Sequence, residues 1–95
     1  MKRSDAVSRL QSLLTNKPFR EMDESNVEYF GAIVGGDSPS GFSRSPWLWN
    51  RFFEEAEISA LFTSFDLPEE ESFEAFAHAA GSIPELIDLT VTSPT

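Results

Sequence analysis

At 95 residues, with 40% apolar content and nine phenylalanines, the chain makes one domain at most, with a modest core and too much apolar material for wholesale disorder. The absence of cysteine excludes a disulfide framework and a thiolate metal site. Seven bases and six acids precede Phe52, and ten acids with no base follow, a field that repels nucleic acid and anionic membranes.

No apolar run follows Met1-Lys2-Arg3 to complete a signal peptide, and none approaches the length of a membrane span, so the chain reads as cytosolic. Residues 4–14, SDAVSRLQSLL, place Ala6, Val7, Leu10, Leu13 and Leu14 on one helical stripe, with Ser4 as N-cap. Asn16-Lys17-Pro18 ends that helix, and the polar, acidic residues 19–28 read as a connector. The leading helix is expected outside the main fold, packed on its surface.

Tyr29 to Val34 is a short continuous apolar run that stops at Gly35-Gly36, as a strand buried on both faces would be. GGDSPSGFSRS is too rich in Gly, Ser and Pro for regular structure. Pro46 then opens a helix with Ser45 as N-cap, and Trp49, Phe52, Phe53 and Ala56 form a core-facing stripe at i, i+3, i+4 and i+7. Ile58 to Phe65 is β-branched and aromatic enough for a second strand. A further helix begins at Pro68, with Glu69, Glu70 and Glu71 in its first turn. Its core stripe is Phe73, Phe76, Ala77 and Ala80, and Gly81 stops it. Leu86 to Thr92 reads as a third strand.

The predicted fold is α/β: an N-terminal helix followed by a β-α-β-α-β open parallel sheet with helices on both faces. Residues 1–28 hold the helix and connector, and residues 29–95 the sheet domain. In such a sheet ligands bind beyond the carboxyl ends of the strands, where strand order reverses. With the first strand central, the loop from Gly35 to Ser45 and the end of the third strand meet in one crevice. Ser43, Ser45 and Thr92 then reach one small polar ligand.

Gly31, Gly35 and Gly36 lack the spacing of a dinucleotide loop, and the next helix comes too late. His78 lies one turn after Glu74, the pattern of a solvated histidine beside a carboxylate. The glutamate clusters lack the compact spacing of a metal loop, and no Ser-His-Asp set can be assembled.

Phe42-Ser43-Arg44-Ser45-Pro46, with the preceding glycine-ended strand and Asn50 with Phe53, resembles the start of the shikimate dehydrogenase family. "LFTSFDL" at Leu61 to Leu67 is similar to that family's second strand, and "LTVTSPT" to its third-strand motif, Asn-Val-Thr-x-Pro-x-Lys. The resemblance covers roughly residues 29–95. It implies the substrate-binding domain, in which Ser43, Ser45 and Thr92 would hydrogen-bond the carboxylate and hydroxyls of shikimate or 3-dehydroshikimate.

Phe42 and Trp49 stand where the family usually has histidines, and Thr90 replaces its asparagine. The family's catalytic lysine falls immediately after Thr95, and NADP is held by a further domain not among these residues. They are therefore not expected to transfer a hydride alone. The third strand leaves an exposed sheet edge, through which a second copy or another chain can pair. An alternative reading is a non-catalytic interaction protein whose acidic residues 52–95 engage a basic partner, although such a run is also what a solvated face presents.

Overall fold

Phe30 to Val34 is the least polar run in the chain, and it becomes the strand with a neighbour on each side. The computed structural model describes residues 2–92, apart from the side chains of Glu24 and Ser25. β1 (Tyr29–Gly35) lies between β2 (Ala60–Asp66) and β3 (Leu86–Val91), all parallel, in the order β2-β1-β3. The α/β class, the parallel sheet and the flanking helices are those expected from the alternating pattern, and β1 takes the central place on which the expected crevice was conditioned. β1 and β2 stay in continuous register from Tyr29 opposite Ala60 to Gly35 opposite Asp66. β3 pairs Leu86 with Phe30, then slips by one residue so that Asp88 faces Gly31.

One face of the sheet carries the core. Phe30, Ala32 and Val34 project from β1 into a cluster with Phe65, Leu67, Phe76, Ala79 and Ile83. α4 (Phe73–Ala80) covers this face, with α1 (Arg3–Leu13) packed beside it. Ala6 and Leu10 of α1 have no solvent exposure, so the leading helix is a full member of the core. The expectation of a helix outside the main fold is corrected on this point. The Arg3 guanidinium bonds to Glu85, anchoring the start of α1 near the start of β3.

The expected connector is also corrected. Residues Pro18–Ser25 form α2, with Pro18 at its first position, where a missing N–H costs nothing. Phe19 and Met22, one turn apart, are buried, and Phe19 stacks on Phe65 at 5.9 Å between ring centroids. Two apolar side chains in eight residues leave too thin a stripe to stand out among four charges.

α3 (Ser45–Glu55) lies on the opposite face, chiefly against β2 and only marginally against β1. Its stripe of Trp49, Phe52, Phe53 and Ala56 does not enter a core, and no residue of the helix is buried. Trp49 stacks on Phe62 of β2 at 6.3 Å, but the helix has no neighbour on its own layer. It ends through Glu57, held at φ 56°, a left-handed position that glycine more often fills.

The remaining differences are at the ends of elements. α1 begins at Arg3 with no side-chain cap from Ser4. The segment after Pro68 forms a 3-10 turn over Glu70–Ser72 before α4 starts at Phe73, so Glu69 to Glu71 precede the α-helix rather than opening it. Within α4 the buried side chains are Phe76, Ala79 and Ala80, while Phe73 and Ala77 are exposed. Ser93, Pro94 and Thr95 of the third-strand motif lie outside the described residues.

Candidate functional site

The loop between β1 and α3 decides where the candidate hydroxyls end up. Its 3-10 turn, Pro39–Gly41, is pinned to β2 by the buried carboxylate of Asp66. One Asp66 oxygen accepts the Ser40 N–H at 3.0 Å, and the other accepts the Ser40 hydroxyl. This pair of bonds pulls the loop toward the β2 side of the sheet. Asp66→Ala is expected to cost about 2 kcal/mol, the value of hydrogen bonds to a charged acceptor. Urea unfolding measures that loss, and hydrogen exchange should show the Ser40 amide losing its protection.

Ser43, two residues past the pinned turn, sits just before α3. Its Oγ accepts the N–H of Ser45 at 3.3 Å, while Arg44 occupies the N-cap position without a side-chain bond. The roles expected from the sequence are therefore exchanged. Ser45 is the first residue of the helix and caps nothing, whereas Ser43 supplies the bond to the helix start. A cap needs only the lone pairs of its hydroxyl, so the Ser43 O–H remains able to donate.

That hydroxyl borders a cavity of about 430 Å³ beside the outer edge of β2, shared with Lys17, Glu21, Ser40, Trp47 and Thr63. Lys17 forms no ion pair among the described residues. The cavity thus offers one cation, one carboxylate, a donor hydroxyl and an indole face. Trp47 also carries the Arg51 guanidinium 5.5 Å from its ring centroid.

Thr92 is elsewhere. It follows β3, where its N–H donates to Val34 O at 2.9 Å and its hydroxyl lies 3.4 Å from an Asp37 carboxylate oxygen. It borders a separate cavity of about 480 Å³ with Gly35, Gly36, Glu70 and Phe73. A Cβ on Gly35 would come within 2.0 Å of the Thr92 hydroxyl oxygen, so only glycine leaves room for this arrangement. The crevice expected to hold Ser43, Ser45 and Thr92 together is not formed. Ser43 and Thr92 line different cavities, and Ser45 lines neither.

The residues after β1 do not fit a dinucleotide. A pyrophosphate needs the N–H groups of a helix start directly after the strand, and here a carboxylate, Asp37, and a 3-10 turn come first. His78 is exposed in the last turn of α4. Among the described residues no three metal-ligating side chains converge, and no helix is long and apolar enough to cross a membrane.

Two asparagines absent from the expected site have defined positions. Asn50 of α3 donates to Phe62 O at 2.9 Å and accepts the Phe62 N–H at 2.7 Å. Asn16 donates to Ser64 O at 2.7 Å and accepts the Asp66 N–H at 3.0 Å. Thr15 N–H adds a third contact, to Asp66 O at 3.0 Å. Together they satisfy the outer edge of β2 with side-chain amides and a short stretch of backbone, and Asn16 places Lys17 beside the cavity. Neither residue has a local sequence signal, because each bonds to a strand about 12 or 50 residues away. No family model, no curated protein and no solved structure matches the chain.

Proposed function

We propose that this chain binds a small cyclic polyhydroxy carboxylic acid of the shikimate type in the cavity between Lys17, Glu21, Ser43 and Trp47. The observation that carries the reading is the mixed character of that cavity. Its volume, about 430 Å³, lies in the usual range for small-molecule sites. A simple anion would gain from Lys17 and lose to Glu21. A hydroxy acid can place its carboxylate on Lys17 and its hydroxyls on Glu21 and Ser43, with its ring against Trp47. The resemblance of Ser43-Arg44-Ser45-Pro46 to the shikimate dehydrogenase motif supports the same ligand class. Of the three hydroxyls it nominates, only Ser43 borders this cavity. The role proposed for these residues is binding and orientation of the acid.

Thermal unfolding with and without millimolar shikimate tests the reading. Ligand at about 100 times its dissociation constant adds roughly 2.7 kcal/mol, a rise of several degrees for a domain of this size. The rise is expected to vanish in Lys17→Gln and Ser43→Ala and to persist in Thr92→Ala. Cyclohexanecarboxylate, which lacks the hydroxyls, is expected to shift the midpoint much less. A cooperative transition indifferent to shikimate would remove the proposal.

A further inference from the structure

The second face of the sheet is one helix short. α1 and α4 lie together over the core face, but α3 stands alone on the other, above β2. The vacancy beside it is an apolar groove of about 250 Å³, floored by Gly31 of β1 and walled by Trp49 and Phe53 on one side and Ile87 on the other. α3 turns more apolar surface outward around the groove. Leu48 is 55% exposed, Phe52 51% and Trp49 48%, with Tyr29, Ile58 and Ile87 also exposed. A helix apolar on this much of its circumference is built to be covered.

We propose that a second copy of this chain covers it, as a two-fold dimer in which α3 lies antiparallel to α3 of its partner. Two observations favour the second copy over an unrelated helix. The first is charge. Arg44 stands at the N-terminal end of α3, while Glu54 and Glu55 close its last turn and Glu57 follows just beyond. An antiparallel crossing sets each basic part against the partner's acidic end and aligns the helix dipoles favourably. A two-fold axis makes the match twice.

The second is area. Half-exposed aromatic side chains of 150–250 Å² each, with three exposed aliphatic ones, supply roughly 600 Å² of apolar surface per protomer. With a polar rim this approaches the roughly 800 Å² per partner of a stable interface.

Sedimentation velocity tests the proposal. The wild-type chain is expected to shift from monomer to dimer as its concentration is raised through the micromolar range. Leu48→Glu/Phe52→Glu replaces two outward side chains and is expected to weaken association about 100-fold or more, with an unchanged circular dichroism spectrum. Arg44→Glu is expected to weaken it about 5-fold through two symmetry-related contacts, and Arg44→Glu/Glu55→Arg to restore it. A wild-type chain that stays monomeric would overturn the proposal and leave the groove to a helix of another protein. A dimer indifferent to both sets of substitutions would overturn it equally, placing the contact elsewhere, such as the open edge of β3.

Discussion

Phe65→Ala is expected to destabilise the fold by about 3–5 kcal/mol, the usual cost of emptying a phenylalanine-sized site in a core. Phe65 has no solvent exposure and is where three elements meet. Its ring lies 5.9 Å from Phe19 of α2 and 5.7 Å from Phe76 of α4. The site cannot collapse easily, because β2 beneath it is fixed by a continuous ladder to β1 and by the asparagine clamps on its other edge. A chain of this length is stable by about 5–14 kcal/mol in total, so the variant is expected near the limit of folding at room temperature. Urea denaturation measures the loss directly. Phe52→Ala, studied at a concentration where the chain is monomeric, is expected to cost about 1 kcal/mol or less, since it removes only exposed ring contacts. Similar losses in the two variants would mean that the core is not on the α4 face.

The contrast between these two phenylalanines marks what the sequence made legible. Helical spacing correctly grouped Trp49 with Phe53 on one side of α3, and apolar continuity correctly marked β1 as a strand buried on both faces. Both are local properties of the chain. Whether a stripe meets another layer is not local. The same spacing that buries Phe76 in α4 leaves Phe52 in solvent, because α1 packs beside α4 while, among the described residues, no other helix packs substantially beside α3. α2 escaped notice for the opposite reason, since its two anchoring residues become meaningful only once Phe65 is in place to receive Phe19.

The candidate site was legible to the same depth. The loop after β1 carries Ser43, and Ser43 borders a cavity. The roles of Ser43 and Ser45 turned on where the helix starts. A start at Ser45 instead of Pro46 makes Ser43 the residue whose oxygen meets the first turn. The loop is held at both ends by long-range contacts, Ser40 on Asp66 of β2 and Asp37 on the Thr92 hydroxyl after β3, and Ser43 follows the β2 end. Spacing along the chain carries no trace of such a bond. Lys17 was placed at the end of a helix and passed over, because its relation to Ser43 exists only after Asn16 has docked on β2.

The asparagine clamps carry the second large effect. Phe62, Ser64 and Asp66 are all buried, so the N–H and C=O groups that β2 turns away from β1 have little water to meet. Asn50→Leu is expected to cost about 2–4 kcal/mol, because it leaves both backbone groups of Phe62 without a partner. It also opens an edge that invites pairing with another chain, so light scattering should rise together with the loss of stability. Asn50→Asp separates the hydrogen bond from the shape. An ionised carboxylate still accepts the Phe62 N–H but sets negative charge against Phe62 O, so this variant too is expected to be unstable at neutral pH. Once protonated, it regains a donor and reproduces the amide's pattern. Its folded pKa is therefore raised above the unfolded value of about 3.9. The favourable contribution is full below that value and is lost as pH rises through the folded pKa. Measured relative to wild type by urea unfolding from about pH 3 to 7, the stability deficit of Asn50→Asp should shrink on acidification, while that of Asn50→Leu stays constant. A deficit equally constant for both would mean that Asn50 holds α3 by packing rather than by its amide.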